Sequence, residues 1–551
     1  MRRNGELSPT NNMQQQFSRK GFLLRAGLVT TGIFLDGCAG KISGGKEKYK
    51  HIGGKLNGPD AKAGHLLRGK TSFPAPCTAR SVDTLIIGAG ISGLSAGRWL
   101  KKQGFDNFEI LELENHVGGN AHSLKNNVSA YPLGAHYITT ANNDDQELID
   151  FLEEVNVITH FENGLPFYNE YYLCFDPEER LLINGQWQEG LIPKFGIGTG
   201  DTQQLSLFFK LIGELKSARG NDGKYAFNIP VDRASADPKY RALDQLSFKN
   251  YLLDKGFNSK YLFWYLDYCC KDDYGQKTDR ISAWAGINYF AGHKGKAANA
   301  EESAVLTWPE GNGWLVGQLR TALEAHIRTS CMVYELLENP DGRIIVGVFD
   351  LLKQTTSTLT VNKVILASPQ FVNQRLLGSW KREFDAGKVS YSPWMVANVT
   401  LKNFGSAGLS WDNVPYGTPS VGYVYAGQQQ VTSTENDSVI TFYLPLCGRD
   451  PRVSRLAAYA RNYQQWLELI VPELEFMHPG ITDQIVNIDV WVWGHGMVSP
   501  TVNYLWGGER EKGMRPLDDK VFFAHTDLSG ISLFEEAFHQ GIRAATELLN
   551  L

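Results

Sequence analysis

The chain has 551 residues, of which 42% are hydrophobic, 21% charged and 12% aromatic, with a formal net charge of −5. Such a length calls for two domains or one interleaved pair, and the composition excludes a disordered or fibrous chain. The acidic balance excludes the basic stripe of a nucleic-acid binder, and seven cysteines without CxxC spacing give no metal site and no redox pair.

The first residues differ in kind from the rest. Arg2-Arg3 and Ser18-Arg19-Lys20-Gly21-Phe22 precede an apolar run from Ala26 to Leu35, which ends at Asp36-Gly37-Cys38. This resembles a twin-arginine export signal, with Lys in place of the second Arg, followed by a lipoprotein-type cleavage box. The run is too short to span a bilayer, so a processed signal over 1–38 is expected. The expectation that follows is an exported protein, periplasmic or held on the outer face of the cytoplasmic membrane through Cys38. Residues 39–80, rich in Gly and Lys, read as a flexible tether.

The core pattern opens at Asp83. An apolar run, Leu85-Ile86-Ile87, breaks into Gly88, Gly90 and Gly93, and a helical pattern follows over 94–103. A strand ending in glycines that open a helix brings backbone N–H groups to a pyrophosphate at the positive end of the helix dipole. Gly88 serves the tight turn, Gly90 the phosphate approach, and Gly93 the packing of helix on sheet. Asn107 to Leu113 reads as a second parallel strand. Glu112, 24 residues after Gly88, falls where the dinucleotide fold sets an acid on the ribose hydroxyls, which disfavours a 2′-phosphate.

Glu112 is followed by five residues and then Gly118-Gly119. This run resembles the flavin-containing amine oxidase and phytoene desaturase superfamily, whose first motif ends in an acid, five residues and a glycine pair. Asn120 stands where the family commonly has Arg. Further stretches resemble the family in the same order: Tyr131 to Ile138, a glycine turn at Gly311 to Gly313, strands around Val333, the strand 360–369, and a closing motif over 521–545. The resemblance implies FAD as cofactor, held by Gly88, Gly90, Gly93, Glu112, Gly118, Gly119, the backbone at Val333, Asp527 in the closing loop, and the last helix, with Glu536 in its first turn. It also implies an α/β fold: a Rossmann-type FAD-binding domain (81–140, 301–375 and 507–551) interleaved with a mixed α+β substrate-binding domain (141–300 and 376–506).

Within the second domain, 246–274 carries aromatics at helical spacing and reads as core. One helix is expected over 453–470, and strands at 394–401, 411–416, 421–424, 439–445 and 488–493. In this superfamily the cofactor takes the hydride and the protein positions the substrate. His136 and Tyr137, in the loop implied to face the flavin, and Trp506 are the candidate catalytic groups. Trp491, Trp493 and Tyr504 are further candidates for an aromatic wall, and Lys402 for a lysine near the ring. The resemblance implies an FAD-dependent oxidoreductase acting on a small molecule, an amine or polyamine, with oxygen or another electron acceptor. Two alternatives stay open: a desaturase or isomerase of a polyprenoid or other apolar substrate, and a flavin-bearing protein that binds a partner.

Overall fold

Glycines and β-branched residues settle the first layer. In the computed structural model, which describes residues 48–69, 71–378, 380–405, 408–427, 429 and 437–551, Thr84–Ile87 is a fully buried strand flanked by parallel neighbours on both sides. All elements below belong to the unit His51–Leu551. The export signal expected over 1–38, with Cys38, lies outside the described residues. Among the described residues no helix is long and apolar enough to cross a membrane.

The parallel sheet has the order Ile327–Arg328, Phe108–Leu111, Thr84–Ile87, Lys363–Leu366, Val521–Phe523. Runs such as Thr-Leu-Ile-Ile and Lys-Val-Ile-Leu suit a sheet covered on both faces. On one face lie the helices Ile91–Lys102, Gly313–Leu323 and Phe534–Asn550. Gly541 lets the last helix meet the first, because a Cβ there would stand 2.0 Å from Ser95 Oγ. The other face carries an antiparallel meander, Cys331–Glu338, Ile344–Asp350 and Thr355–Val361, which shares a core with Leu85 and Leu366. The stretch 360–369 thus divides: Asn362 separates the end of a meander strand from a strand of the parallel sheet.

A larger mixed sheet of eight strands runs Leu56–Asn57, Ile485–Ser499, Ser390–Leu401, Ser438–Pro445, Gly422–Tyr425, Asp412–Pro415, Glu179–Ile183, Gln186–Glu189. A helical layer, with Thr199–Lys216, Phe248–Asp254, Lys260–Tyr274 and Ala283–Ala291, has its own core. The helix expected over 453–470 is two. Arg461 is extended, and Asn462 caps a second helix, Tyr463–Met477, with a capping box to Gln465.

Within the stretch read as a tether, Leu56–Asn57 is an edge strand parallel to Ile485–Ser499, and Thr78–Ser81 adds to the meander. Backbone hydrogen bonds explain this better than side chains do. Gly53 N donates to Val486 O at 3.0 Å, Ile488 N to Gly53 O at 2.9 Å, and Val490 N to Lys55 O at 2.9 Å. Hydropathy reading does not register such pairing, which needs few apolar residues.

Candidate functional site

Two adjoining sites emerge from these layers. The first is a groove at the carboxyl ends of the parallel strands, the usual ligand position of an open α/β sheet. Gly88 has φ +106°, and Gly93 is obligatory because a Cβ there would lie 1.8 Å from Gly88 O. Gly90, by contrast, faces open space: nothing lies within 4 Å of an added Cβ. It also precedes the helix Ile91–Lys102 without any side-chain cap, leaving that N-terminus open to an anion. The glycine pair closes over it. Gly118 N donates to Ala89 O at 2.8 Å, Gly118 bridges Gly90, and a Cβ on Gly119 would sit 3.5 Å from the Gly90 Cα.

Glu112, just past the second strand, accepts from Ala89 N at 2.6 Å and Glu114 N at 2.9 Å. Burial pushes its carboxyl up to about 7, against the pull of those N–H groups. Cys331 N donates to Glu112 O at 2.8 Å, so the strand bearing Val333 begins beside this acid. The six residues Gly88, Gly90, Gly93, Glu112, Gly118 and Gly119 therefore meet where the parallel strands end, and Val333 lies two residues into the strand that begins beside Glu112. Asp527 is fully buried. Its Oδ2 accepts from Gln370 N at 2.8 Å and from the Tyr391 hydroxyl, and His525 Nδ1 lies 3.1 Å from Oδ1. Glu536, also fully buried in the first turn of the last helix, accepts from Val231 N at 2.7 Å, and burial lifts its carboxyl to about 7.

The second site is a pocket of about 260 Å³. It starts one residue past the glycine pair: Ala135 N donates to Asn120 O at 3.0 Å, while the Asn120 side-chain amide donates to Gly496 O. Tyr443 OH donates to Gly134 O at 3.0 Å, and Trp493 Nε1 to Leu133 O at 2.6 Å, pinning this loop against the large sheet. His136 and Tyr137 face the pocket, with the Tyr443 ring 4.6 Å and the Trp411 ring 5.6 Å from the imidazole. Desolvation lowers His136 to about 4, so its ring is neutral at pH 7.

Four carboxylates share this pocket: Glu179, Asp272, Asp273 and Asp412. Glu179 and Asp412 are register partners on adjacent parallel strands, which sets like charges side by side. Asp272 and Asp273 lie in the last turn of Lys260–Tyr274, at the end where the helix dipole disfavours anions. Tyr137 OH donates to Asp272 at 3.3 Å and to Asp273 at 3.2 Å, and Tyr268 OH to Asp412 at 2.7 Å. Desolvation raises all four; repulsion from neighbouring carboxylates adds to it for Glu179, Asp273 and Asp412, while Tyr137 and Lys271 pull Asp272 back, and Glu179 reaches about 7. None of the four is marked by spacing in the sequence, because strand register and helix end bring them together. The aromatic helix read as core does carry core residues, but its last turn faces this pocket.

Trp506 lies elsewhere. Its ring meets Trp284 edge-on at 5.3 Å under Arg241 at 4.0 Å, and its backbone N–H donates to Asp244 Oδ2 at 2.8 Å, in the helical layer. Trp491 and Trp493 belong to the core under the pocket, and Tyr504 OH donates to Asp527 O at 2.7 Å.

The groove defines a protein with a dinucleotide-binding domain, and the NAD(P)-binding Rossmann-like domain family matches residues 86–155. Over 69 residues the chain is 41% identical to the polyenoic fatty acid isomerase of Ptilota filicina, a match spanning 12% of this chain and only 14% of that enzyme. Among solved structures, wild-type putrescine oxidase bound to putrescine is similar over 86% of this chain and all of its own, at 16% identity and a TM-score of 0.63. Cyclohexylamine oxidase from Brevibacterium oxydans IH-35A (15%, 0.59, covering 85% and 99%) and the CLA-producing fatty acid isomerase from P. acnes (17%, 0.59, covering 84% and 98%) are similar too. At these identities the likeness shows a fold shared with these oxidases and the isomerase.

Proposed function

We propose that this protein is an FAD-dependent oxidoreductase whose substrate is an organic amine. The groove fits FAD: an uncapped helix N-terminus, a glycine opening onto free space and a second glycine pair closing over it suit a pyrophosphate. FAD, when bound, supplies a two-electron acceptor for a hydride equivalent from the substrate.

The observation that carries the amine is the set of four carboxylates beside rings. Like charges buried together hold protons that a cation would displace. An alkylammonium entering the pocket meets Asp272 and Asp273 beside Tyr137, Glu179 and Asp412 further along, and the faces of Trp411 and Tyr443. The rings exclude water from the reacting carbon. His136, neutral at pH 7, adds an uncharged ring to the lining beside the cation. A fatty acid would bring a fifth carboxylate into this group, which weighs against it, whereas the fold likeness to a fatty acid isomerase spans 84% of the chain and supports the alternative as much as the oxidases support the amine. An isomerase or desaturase of an apolar substrate is the second reading, favoured by the same aromatic lining.

Anaerobic addition of diamines, monoamines and polyenoic fatty acids to the FAD-loaded protein tests this. Bleaching of the flavin absorbance by an amine is expected. Bleaching or double-bond migration with the fatty acid, and none with any amine, would overturn the amine reading.

A further inference from the structure

The pocket is not acidic throughout. One of its walls is a two-stranded ribbon, Tyr137–Thr139 against Val305–Thr307, in which Thr307 is opposite Tyr137 and Val305 opposite Thr139. Side chains on one face of a strand recur every second residue, and Tyr137, Thr139 and Val305 all line the pocket. The ribbon therefore gives the pocket a long axis. At one end of it stand Asp272 and Asp273, 3.3 and 3.2 Å from the Tyr137 hydroxyl. Two residues on, Thr139 Oγ1 lies 2.8 Å from His293 Nδ1. Thr140 N then donates to Ala304 O at 2.9 Å and carries the pairing on to Ser303, which also lines the pocket.

This far end has the opposite charge. Lys216, the last residue of the helix Thr199–Lys216, lines the pocket and lies 2.6 Å from the carboxylate of Glu302, the neighbour of Ser303. Among the described residues that line the pocket it holds the only fixed positive charge, since desolvation keeps the imidazoles of His136 and His293 neutral at pH 7. Glu302 does little to cancel it, because solvent screens a pair whose side chains are 30% and 41% exposed. Arg219 and Lys294 add two cations to this corner, both over the Tyr225 ring, at 3.9 and 4.8 Å. Ser303 itself is held left-handed, at φ +62°, by its N–H on Gly295 O at 2.9 Å. Its buried hydroxyl has no hydrogen-bond partner among the described residues. Such a group is costly to leave open, and beside a cation it suits an anionic oxygen.

We infer that Lys216 and Ser303 form a carboxylate subsite at the far end of the amine pocket, and that the substrate is an ω-amino acid, with its ammonium among the carboxylates and its carboxylate at Lys216. The inference rests on the amine reading above. Along the ribbon the step from Tyr137 to Thr139 is about 7 Å, and the level of Ser303 is about 13 Å away. An α-amino acid, with both charges on one carbon, cannot reach across, whereas 6-aminohexanoate can. A diamine of the same length is turned away, because its second ammonium meets Lys216.

The test is anaerobic calorimetric titration of the FAD-loaded full-length protein with hexylamine, 6-aminohexanoate and 1,6-diaminohexane, at pH 8 and low salt. Wild type should bind 6-aminohexanoate about tenfold more tightly than either of the others, the gain of one charge-assisted contact. Lys216 and Glu302 are both partly exposed, so substitutions there keep the fold. Lys216→Gln should remove the preference. Glu302→Gln, which takes away the competing carboxylate, should enlarge it, and general damage to the pocket cannot move the two variants in opposite directions. Equal affinities in wild type, or a preference that survives Lys216→Gln, would overturn the subsite while leaving the amine reading in place. A protein that binds none of the three would overturn the amine reading and the subsite with it.

Discussion

Replacing Glu179 by Gln should make the ligand-free protein more stable at pH 8 and weaken its hold on a dicationic amine. Glu179 is raised from 4.5 to about 7, chiefly by burial and then by the neighbouring Glu178 and Asp272. Between those two values the folded protein keeps a proton that the unfolded chain has released. Stability therefore falls as pH rises through this window. A shift of that size is worth at most about 3 kcal/mol, and the partial exposure of the side chain reduces it to about 1–2 kcal/mol. Gln removes the titration, so the variant should melt higher than wild type at pH 8 and match it near pH 4.5. Putrescine should raise the wild-type melting temperature more at pH 8 than at pH 6, because ammonium pairing needs the ionised carboxylate, and should do less for the variant. Thermal unfolding at the three pH values, with and without the diamine, reads both effects. A variant that melts below wild type at pH 8, or that keeps the same advantage at pH 4.5, would show that Glu179 is already ionised and satisfied in the empty pocket.

Two further outcomes follow from the groove. Gly90→Ala should leave the melting temperature of the ligand-free protein unchanged, since its Cβ meets nothing within 4 Å, yet lower FAD affinity at least tenfold; Gly93→Ala, aimed at Gly88 O from 1.8 Å, should destabilise the fold itself. Glu112→Ala should weaken FAD by about 1.5–3 kcal/mol for a lost charge-assisted contact, read by flavin titration, and should also lower apo stability because Ala89 N and Glu114 N lose their acceptor.

The dinucleotide groove was legible because its parts are local. Gly88, Gly90 and Gly93 sit within six residues, and Glu112 and Gly118-Gly119 follow at fixed spacing, so strand, turn and helix can each be read from neighbours in the chain. The pocket was not. Glu179 meets Asp412 only through the register of two strands 233 residues apart, and Asp272-Asp273 reads as the polar end of an aromatic helix until that helix is placed. His136 and Tyr137, in a loop marked by its glycine, do line the pocket. Trp506, singled out for its nearness to the closing motif, packs on Trp284 instead. The sheet-pairing segment at residues 53–58, read as a tether, was hidden for a different reason. Its anchoring is largely backbone to backbone, with small residues where another chain would need side chains, and hydropathy gives such a segment the look of a linker.

The packing of the last helix on the first, with Gly541 against Ser95, has a consequence for how the protein is made. The groove's opening strand and glycine turn leave the ribosome early, but the sheet gains its fifth strand only at Val521–Phe523 and its covering helix at Phe534–Asn550. Through most of synthesis the nascent chain therefore holds half of a nucleotide site, with the part of the sheet face that the last helix occupies still uncovered. Chaperone occupancy during translation should concentrate there, and flavin capture should wait for residues 521–550 rather than follow the motif that announces the site.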